Sequence, residues 1–173
     1  MTSSTVVVRP ARASDAARLV ELLVLGASRG LKEEPADLLP YRQALAEIAG
    51  SRYNTVLVAE YDGVVVGVCQ LFAVRHLQER GGLCAEIESV HVHPDSRGRG
   101  IGTQLLNAAI AEARGWGCYR VQLTSNKVRA AGTGSTVEQG SLRRTKGSSC
   151  SCDSRRAARR LRACGSFPGI PSR

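Results

Sequence analysis

The chain has 173 residues, with 24 Lys and Arg against 15 Asp and Glu and a formal charge of +9. That length suits one compact domain with a core of ordinary size. No uninterrupted apolar run approaches the roughly 18 residues of a membrane span, and the start lacks the basic-then-apolar layout of a secretory signal, so a cytoplasmic protein is expected. Cys69, Cys84, Cys118, Cys150, Cys152 and Cys164 include no CxxC pair and no His-containing ligand spacing, so no metal site is expected. The first three, inside apolar segments, read as small core residues.

The charge is unevenly spread. Residues 1–127 carry 14 basic and 13 acidic side chains, whereas residues 128–173 carry 10 and 2. In that last stretch the large apolar residues are Val128, Val137, Leu142, Leu161, Phe167 and Ile170, too few to offset the entropy of ordering a backbone. Residues 128–173 therefore read as a disordered or irregular basic Arg/Gly/Ser-rich tail behind a domain at residues 1–127.

Within that domain, residues 5–9 (TVVVR) form a β-branched run stopped by Pro10. Ser14 or Asp15 can cap a helix running to residue 25, with Leu19, Leu22 and Leu23 on one face. A second helix is expected over residues 36–48, spacing Leu39, Tyr41, Leu45 and Ile48 along one side. Residues 55–61 and 64–74 are β-rich and separated by Asp62-Gly63, a strong hairpin signal. Residues 76–83 read as a polar loop, 84–92 as a strand, 102–114 as a helix with Leu105, Leu106, Ala109, Ile110 and Ala113 inward, and 118–124 as a further strand. The order is β-α-α-β-β-β-α-β, without an internal repeat.

Two features converge on residues 86–103, EIESVHVHPDSRGRGIGT. Ile87, Val90 and Val92 are the natural core residues of the strand, but 87 and 90 have opposite parity; a single bulge between them restores the alternation. Such a bulge frees main-chain groups and splays the strand from its neighbour, opening a slot for an extended ligand. Next, Arg97-Gly98-Arg99-Gly100-Ile101-Gly102 leads straight into a helix, whose first N–H groups and positive dipole end form an anion site. No Gly-Lys-Ser/Thr follows, so a nucleotide P-loop is excluded, and the context fits a Rossmann fingerprint poorly. The bland alternatives are a solvated connector or a small RNA-contacting patch.

Arg97, Gly100 and Gly102 match Gln/Arg-x-x-Gly-x-Gly/Ala, and on this loop, its flanking strand and helix, and the element order of residues 5–127 the sequence resembles the GNAT superfamily of acetyl-CoA-dependent N-acetyltransferases. The resemblance implies an α/β (α+β type) fold with a mixed, mostly antiparallel sheet flanked by helices, and acetyl-CoA as cosubstrate. It implies that Val90, His91 and Val92 pair with pantetheine, and that Arg97, Gly98, Arg99, Gly100, Ile101, Gly102 and Thr103 hold the pyrophosphate. The acceptor it implies is an amine, taken as a primary amine of a small molecule; homodimers are common in the family, and neither membrane nor nucleic acid is an expected partner. Glu88, two residues before Val90, is the best placed base, with Glu86 its competitor and a solvent-facing strand carboxylate its plain alternative. His91 is expected to act through its backbone and His93 to sit at the strand exit. Ser89 and Cys84 lack a base-orienter arrangement, which disfavours covalent catalysis.

The family continues with a helix bearing a Phe-Tyr pair, whose Tyr commonly protonates the thiolate, and two more strands. No Tyr follows Tyr119 here. Regrouping the codons of residues 132–137 from their third bases permits His-Arg-Phe-Tyr, followed further on by Gly-Phe and Glu-Gly-Phe-Lys-Leu, in family order. The segment from about residue 128 thus looks like an out-of-frame translation, and the chain as written is expected to have impaired activity. A non-enzymatic basic binding protein acting through its tail is the other class of function to test.

Overall fold

A computed structural model of the protein describes residues 5–26, 33–124, 142–144 and 149–153. Among the described residues, seven strands form one sheet in the order β1-β2-β3-β4-β5-β7-β6. They are β1 (Val6–Pro10), β2 (Asn54–Tyr61), β3 (Val64–Arg75), β4 (Leu83–Val92), β5 (Cys118–Thr124), β6 (Leu142–Arg144) and β7 (Ser149–Asp153). Every pairing is antiparallel except β4 with β5. The mixed, mostly antiparallel sheet expected from the resemblance is therefore present. The tail contributes β6 and β7, two short strands that its composition did not announce; its remaining residues, including those at which the family's Tyr-bearing helix is expected, lie outside the described residues.

Helices cover both faces. α1 (Ala16–Gly26) and α2 (Leu39–Ala49) lie on one side and α4 (Ile101–Gly115) on the other, while α3 (Gln78–Gly81) is a short turn between β3 and β4. Glu79 and Arg80 in α3 have φ of 50° and 57°, so this piece of the expected loop is left-handed rather than a true helix turn. On the α4 side, Leu57, Ala59, Cys69, Leu71, Ala85 and Ile87 pack against Ile101, Leu105, Ala109 and Ala113. On the α1 side, Val58, Val65 and Val68 meet Leu19 and Leu22. Leu57 and Val58, like Val68 and Cys69, point to opposite faces because strand side chains alternate. Gly67 lets α4 close on the sheet: a Cβ there would lie 3.0 Å from Leu105 Cδ1 and 3.2 Å from Ile101 Cγ2.

Two boundaries differ from expectation for local reasons. α2 starts at Leu39 rather than residue 36, because Pro40 belongs in a first turn and would break a helix reaching further back. The Asp37 carboxylate accepts the Leu39 N–H at 3.0 Å. Before α1, a 3-10 turn (Ala13–Asp15) precedes the helix, and Asp15 accepts the Arg12 N–H at 2.7 Å. Asp15 also pairs with Arg9 at 2.8 and 3.1 Å, and Arg9 reaches Glu60 at 2.8 Å, tying β1, β2 and the start of α1 together. The Arg9 guanidinium holds the Asp15 carboxyl below the usual carboxylate range, with burial opposing it.

Candidate active site

The expected irregularity in β4 is present. Glu88 pairs with Gln70 and His91 with Val68, so Ser89 and Val90 together oppose Cys69 alone. Ser89 sits at φ 51°, the left-handed region that a bulge imposes. The parity argument holds in detail: Ile87 is buried on the α4 side, and Val90 and Val92 pack against that same cluster. Pairing with β5 ends at Ile87↔Leu123, while β4 continues to Val92. From Glu88 onward, the β5-facing edge of β4 therefore has no partner strand among the described residues. Across the other edge, Gly67 pairs with Val92, and the His93 N–H donates to Val66 O at 2.8 Å, anchoring the end of the strand.

The chain then turns through Pro94–Ser96 into the glycine loop. Gly98 and Gly100 have φ of 75° and 74°. A side chain there would be strained by backbone conformation, although a Cβ at either would meet nothing within 4 Å. The cradle is thus open on its outer side. Gln104 N–H to Gly100 O, at 3.1 Å, is the first helical bond of α4, which leaves the amides of Ile101, Gly102 and Thr103 with no carbonyl of their own helix to bind. Arg97 Nε donates to Val92 O at 3.2 Å, tying the loop to the end of β4. Arg99 stacks over the Tyr61 ring at 5.4 Å and donates to its hydroxyl at 3.3 Å. Free amides, a helix dipole and two guanidinium groups at one strand-to-helix turn fit the diphosphate of a coenzyme.

Beside this edge, between α1, α2 and the sheet, lies a cavity of about 300 Å³, lined among others by Leu19, Glu33, Tyr41, Gln70, Ser89 and His91. Glu88 is exposed and is the cross-strand neighbour of Gln70, on the cavity's face of the sheet. Glu86, half-buried, lies on that face too. Val90, His91 and Val92 occupy the unpartnered edge, but His91 does more than lend its backbone. Its ring lines the cavity and rests on Gly26, where a Cβ would fall 2.0 Å from Nδ1. Among the described residues, Cys69, on the opposite, α4 face of the sheet, offers no nucleophile to this cavity: it lies in the core and burial pushes it up to about 12.

The model of the acetyltransferase (GNAT) family matches residues 18–133, more than half of the chain. The chain belongs to that family. It is an acyltransferase, and acetyl-CoA is its acetyl donor. No curated protein matches it in sequence. Among solved structures it is similar to a transcriptional regulator from Bacillus halodurans C-125, with 29% identity, a TM-score of 0.66, and 98% of this chain and 99% of that one covered. It is similar to yncA from Salmonella typhimurium, solved with its cofactor acetyl-CoA, at 28% identity and a TM-score of 0.58 over 74% of each chain. An acetyltransferase of the GNAT family from Streptococcus pneumoniae shares the fold at 22% identity and a TM-score of 0.58, with 73% of this chain and 78% of that one covered. The family match stops at residue 133, ahead of most of the basic tail, which is where the sequence departs from the family pattern. No helix among the described residues is long and apolar enough to cross a membrane.

Glu33, Tyr41, Gln70 and the Arg99–Tyr61 stack were not singled out by the sequence. Tyr41 reads there as one member of the stripe along the expected second helix, and Glu33 falls before that helix, outside every element and motif read from the sequence. Only the folded α1–α2 layer places the two beside the β4 bulge.

Proposed function

We propose that the chain transfers the acetyl group of acetyl-CoA to a primary amine of a small molecule, by direct attack in a ternary complex. The observation that carries this reading is the bulge at Ser89, which leads an unpartnered strand edge into the amides of α4. Main-chain groups of Val90, His91 and Val92 hold the pantetheine arm by strand-like pairing. The amides from Gly98 to Thr103, with Arg97 and Arg99, receive the pyrophosphate. Acetyl-CoA supplies, when bound, an acyl thioester. Glu88 removes the proton of the acceptor ammonium, directly or through water, so that the amine attacks as a neutral nucleophile. As the N–C bond forms the thioester C–S bond breaks, and CoA leaves as a thiolate that takes up, through water, the proton the nitrogen loses on becoming an amide. Main-chain donors freed at the bulge orient the acyl oxygen.

The family's tyrosine is missing from the sequence beyond Tyr119. The chain as written therefore binds the coenzyme better than it turns it over. The test is release of free thiol from acetyl-CoA with a panel of amines, beside the melting temperature with and without CoA. Stabilisation by CoA with slow amine-dependent thiol release is the expected result. Neither stabilisation nor release overturns the reading and favours binding through the basic tail.

A further inference from the structure

The cavity beside the bulge is lined by two chemically different sets of polar residues. From the sheet come Gln70, Ser89 and His91; from the helix layer and the segment leading into it come Tyr41 and Glu33. Much of the remaining lining is aliphatic, including Leu19 and Leu23 of α1, Leu45 and Ile48 of α2, and Val68 of β3. The Tyr41 hydroxyl donates to Glu33 Oε2 at 2.7 Å and accepts the Glu34 N–H at 2.9 Å. Tyr41 thus pins the carboxylate in place, and its own phenol is held above its usual range because Glu33 accepts its proton. A carboxylate offers about four acceptor positions, and the phenol uses one of them.

In this reading the nitrogen that reacts at the β4 edge already has its base in Glu88, so Glu33, a second carboxylate brought to the cavity by the segment before α2 rather than by the sheet, does not serve that nitrogen. It serves a second charge. We infer that Glu33, held by Tyr41, binds a second cationic group of the acceptor, and that the cavity takes a compact diamine whose nitrogens are joined by an apolar spacer. One nitrogen lies at the bulge, the spacer lies against the aliphatic walls, and the remaining ammonium is hydrogen-bonded to Glu33. This rests on the reading of the cavity as the acceptor pocket. Its volume of about 300 Å³ is at the small end of ligand pockets, which suits such a molecule.

The experiment is calorimetric titration of linear diaminoalkanes, and of amino alcohols of matched length, into the full chain saturated with CoA. It needs no turnover. At least one diamine is expected to bind about tenfold more tightly than its amino alcohol, the size of one charge-assisted hydrogen bond. In Glu33→Gln that preference falls to about twofold or less, and Tyr41→Phe, which keeps the ring but frees the carboxylate, falls between. Stabilisation of both variants by CoA reports that the fold and the glycine loop are intact. Equal binding of diamine and amino alcohol, a preference that survives in Glu33→Gln, or no binding of any diamine overturns the inference and leaves the acetyl-transfer reading standing. Failure of CoA itself to stabilise the wild type overturns that reading, and this inference with it.

Discussion

Gly102 separates the stability of α4 from the anion site at its N-terminus, because one substitution moves the two in opposite directions. A Cβ at this position meets only Val92 Cγ2, at 3.8 Å, an ordinary contact. Gly102 is also absent from the positive-φ glycines, unlike Gly98 and Gly100, so a side chain is tolerated by the backbone. Gly102→Glu replaces a first-turn glycine and adds a negative charge beside the positive end of the helix, the charge worth about 0.3–1 kcal/mol in favour of the fold and the propensity gain adding to it. For a bound diphosphate the same carboxylate is repulsive. At roughly 5 Å and an effective dielectric of about 20, one unit charge costs about 3 kcal/mol, more than a hundredfold in affinity. The expected outcome is a melting temperature at or above wild type, with CoA binding by calorimetry weakened by about a hundredfold or more. Gly102→Ala, with the methyl but not the charge, should keep most of the affinity. Wild-type affinity for CoA in a folded Gly102→Glu protein would refute the assignment of these amides to the pyrophosphate.

Three further outcomes follow from the geometry. Glu88→Gln should lower kcat by about a hundredfold or more while leaving KM for acetyl-CoA in place, if the proton is taken there; an unchanged kcat moves the role to Glu86. Asp15→Asn should cost about 1–3 kcal/mol at neutral pH, because it loosens Arg9 and the Arg12 N–H together. The Asp15 carboxyl lies lower in the folded chain than in the unfolded one, so its contribution is present above the unfolded value and is lost as pH falls through the folded one. Urea melts of wild type and variant should accordingly converge in acid, and a gap that stays constant with pH disproves the linkage. Gly26→Ala should destabilise by about 1–3 kcal/mol despite improving helix propensity, since the new Cβ overlaps the His91 ring. Adding His91→Ala should recover most of that loss, and a double-mutant cycle with no coupling would rule the contact out.

The parts of the fold that repeat a period or demand a special backbone were legible. The Asp62-Gly63 turn, the α4 stripe and the glycine loop are written in adjacent residues, and the bulge showed itself as a parity conflict between Ile87 and Val90. What stayed hidden depends on residues far apart in sequence. Arg9 finds Glu60 only when β1 lies on β2, and Glu33 reaches the cavity only when the chain before α2 folds over β3 and β4. The strands β6 and β7 were invisible for another reason. Main-chain pairing of β7 with β5, and of β6 with β7, needs no particular side chain, so LRR and SCSCD carry no alternating apolar signal. The proposal that residues 128–173 are read out of frame is checked by sequencing the coding DNA: its regrouped codons should spell His-Arg-Phe-Tyr from residue 132 onward, and any other reading removes it.

The bulge also explains why a serine within β4 carries a strained backbone. A non-glycine residue at positive φ costs on the order of 1 kcal/mol or more and persists only where its surroundings enforce it. Here the enforcement comes from the α4 face of the sheet. Ile87 must stay under α4, and so must Val90 and Val92, yet Ile87 and Val90 are three positions apart, an odd step that a regular strand sends to opposite faces. A regular strand would turn Val90 and Val92 toward α1 and drive His91 into the α4 core. The α4-side cluster thus holds Ser89 in its left-handed conformation, at the place where β4 parts from β5. Relieving the strain with Ser89→Gly should therefore stabilise the fold by about 1 kcal/mol without moving the register. If the melting temperature falls instead, the serine hydroxyl contributes more than its backbone costs.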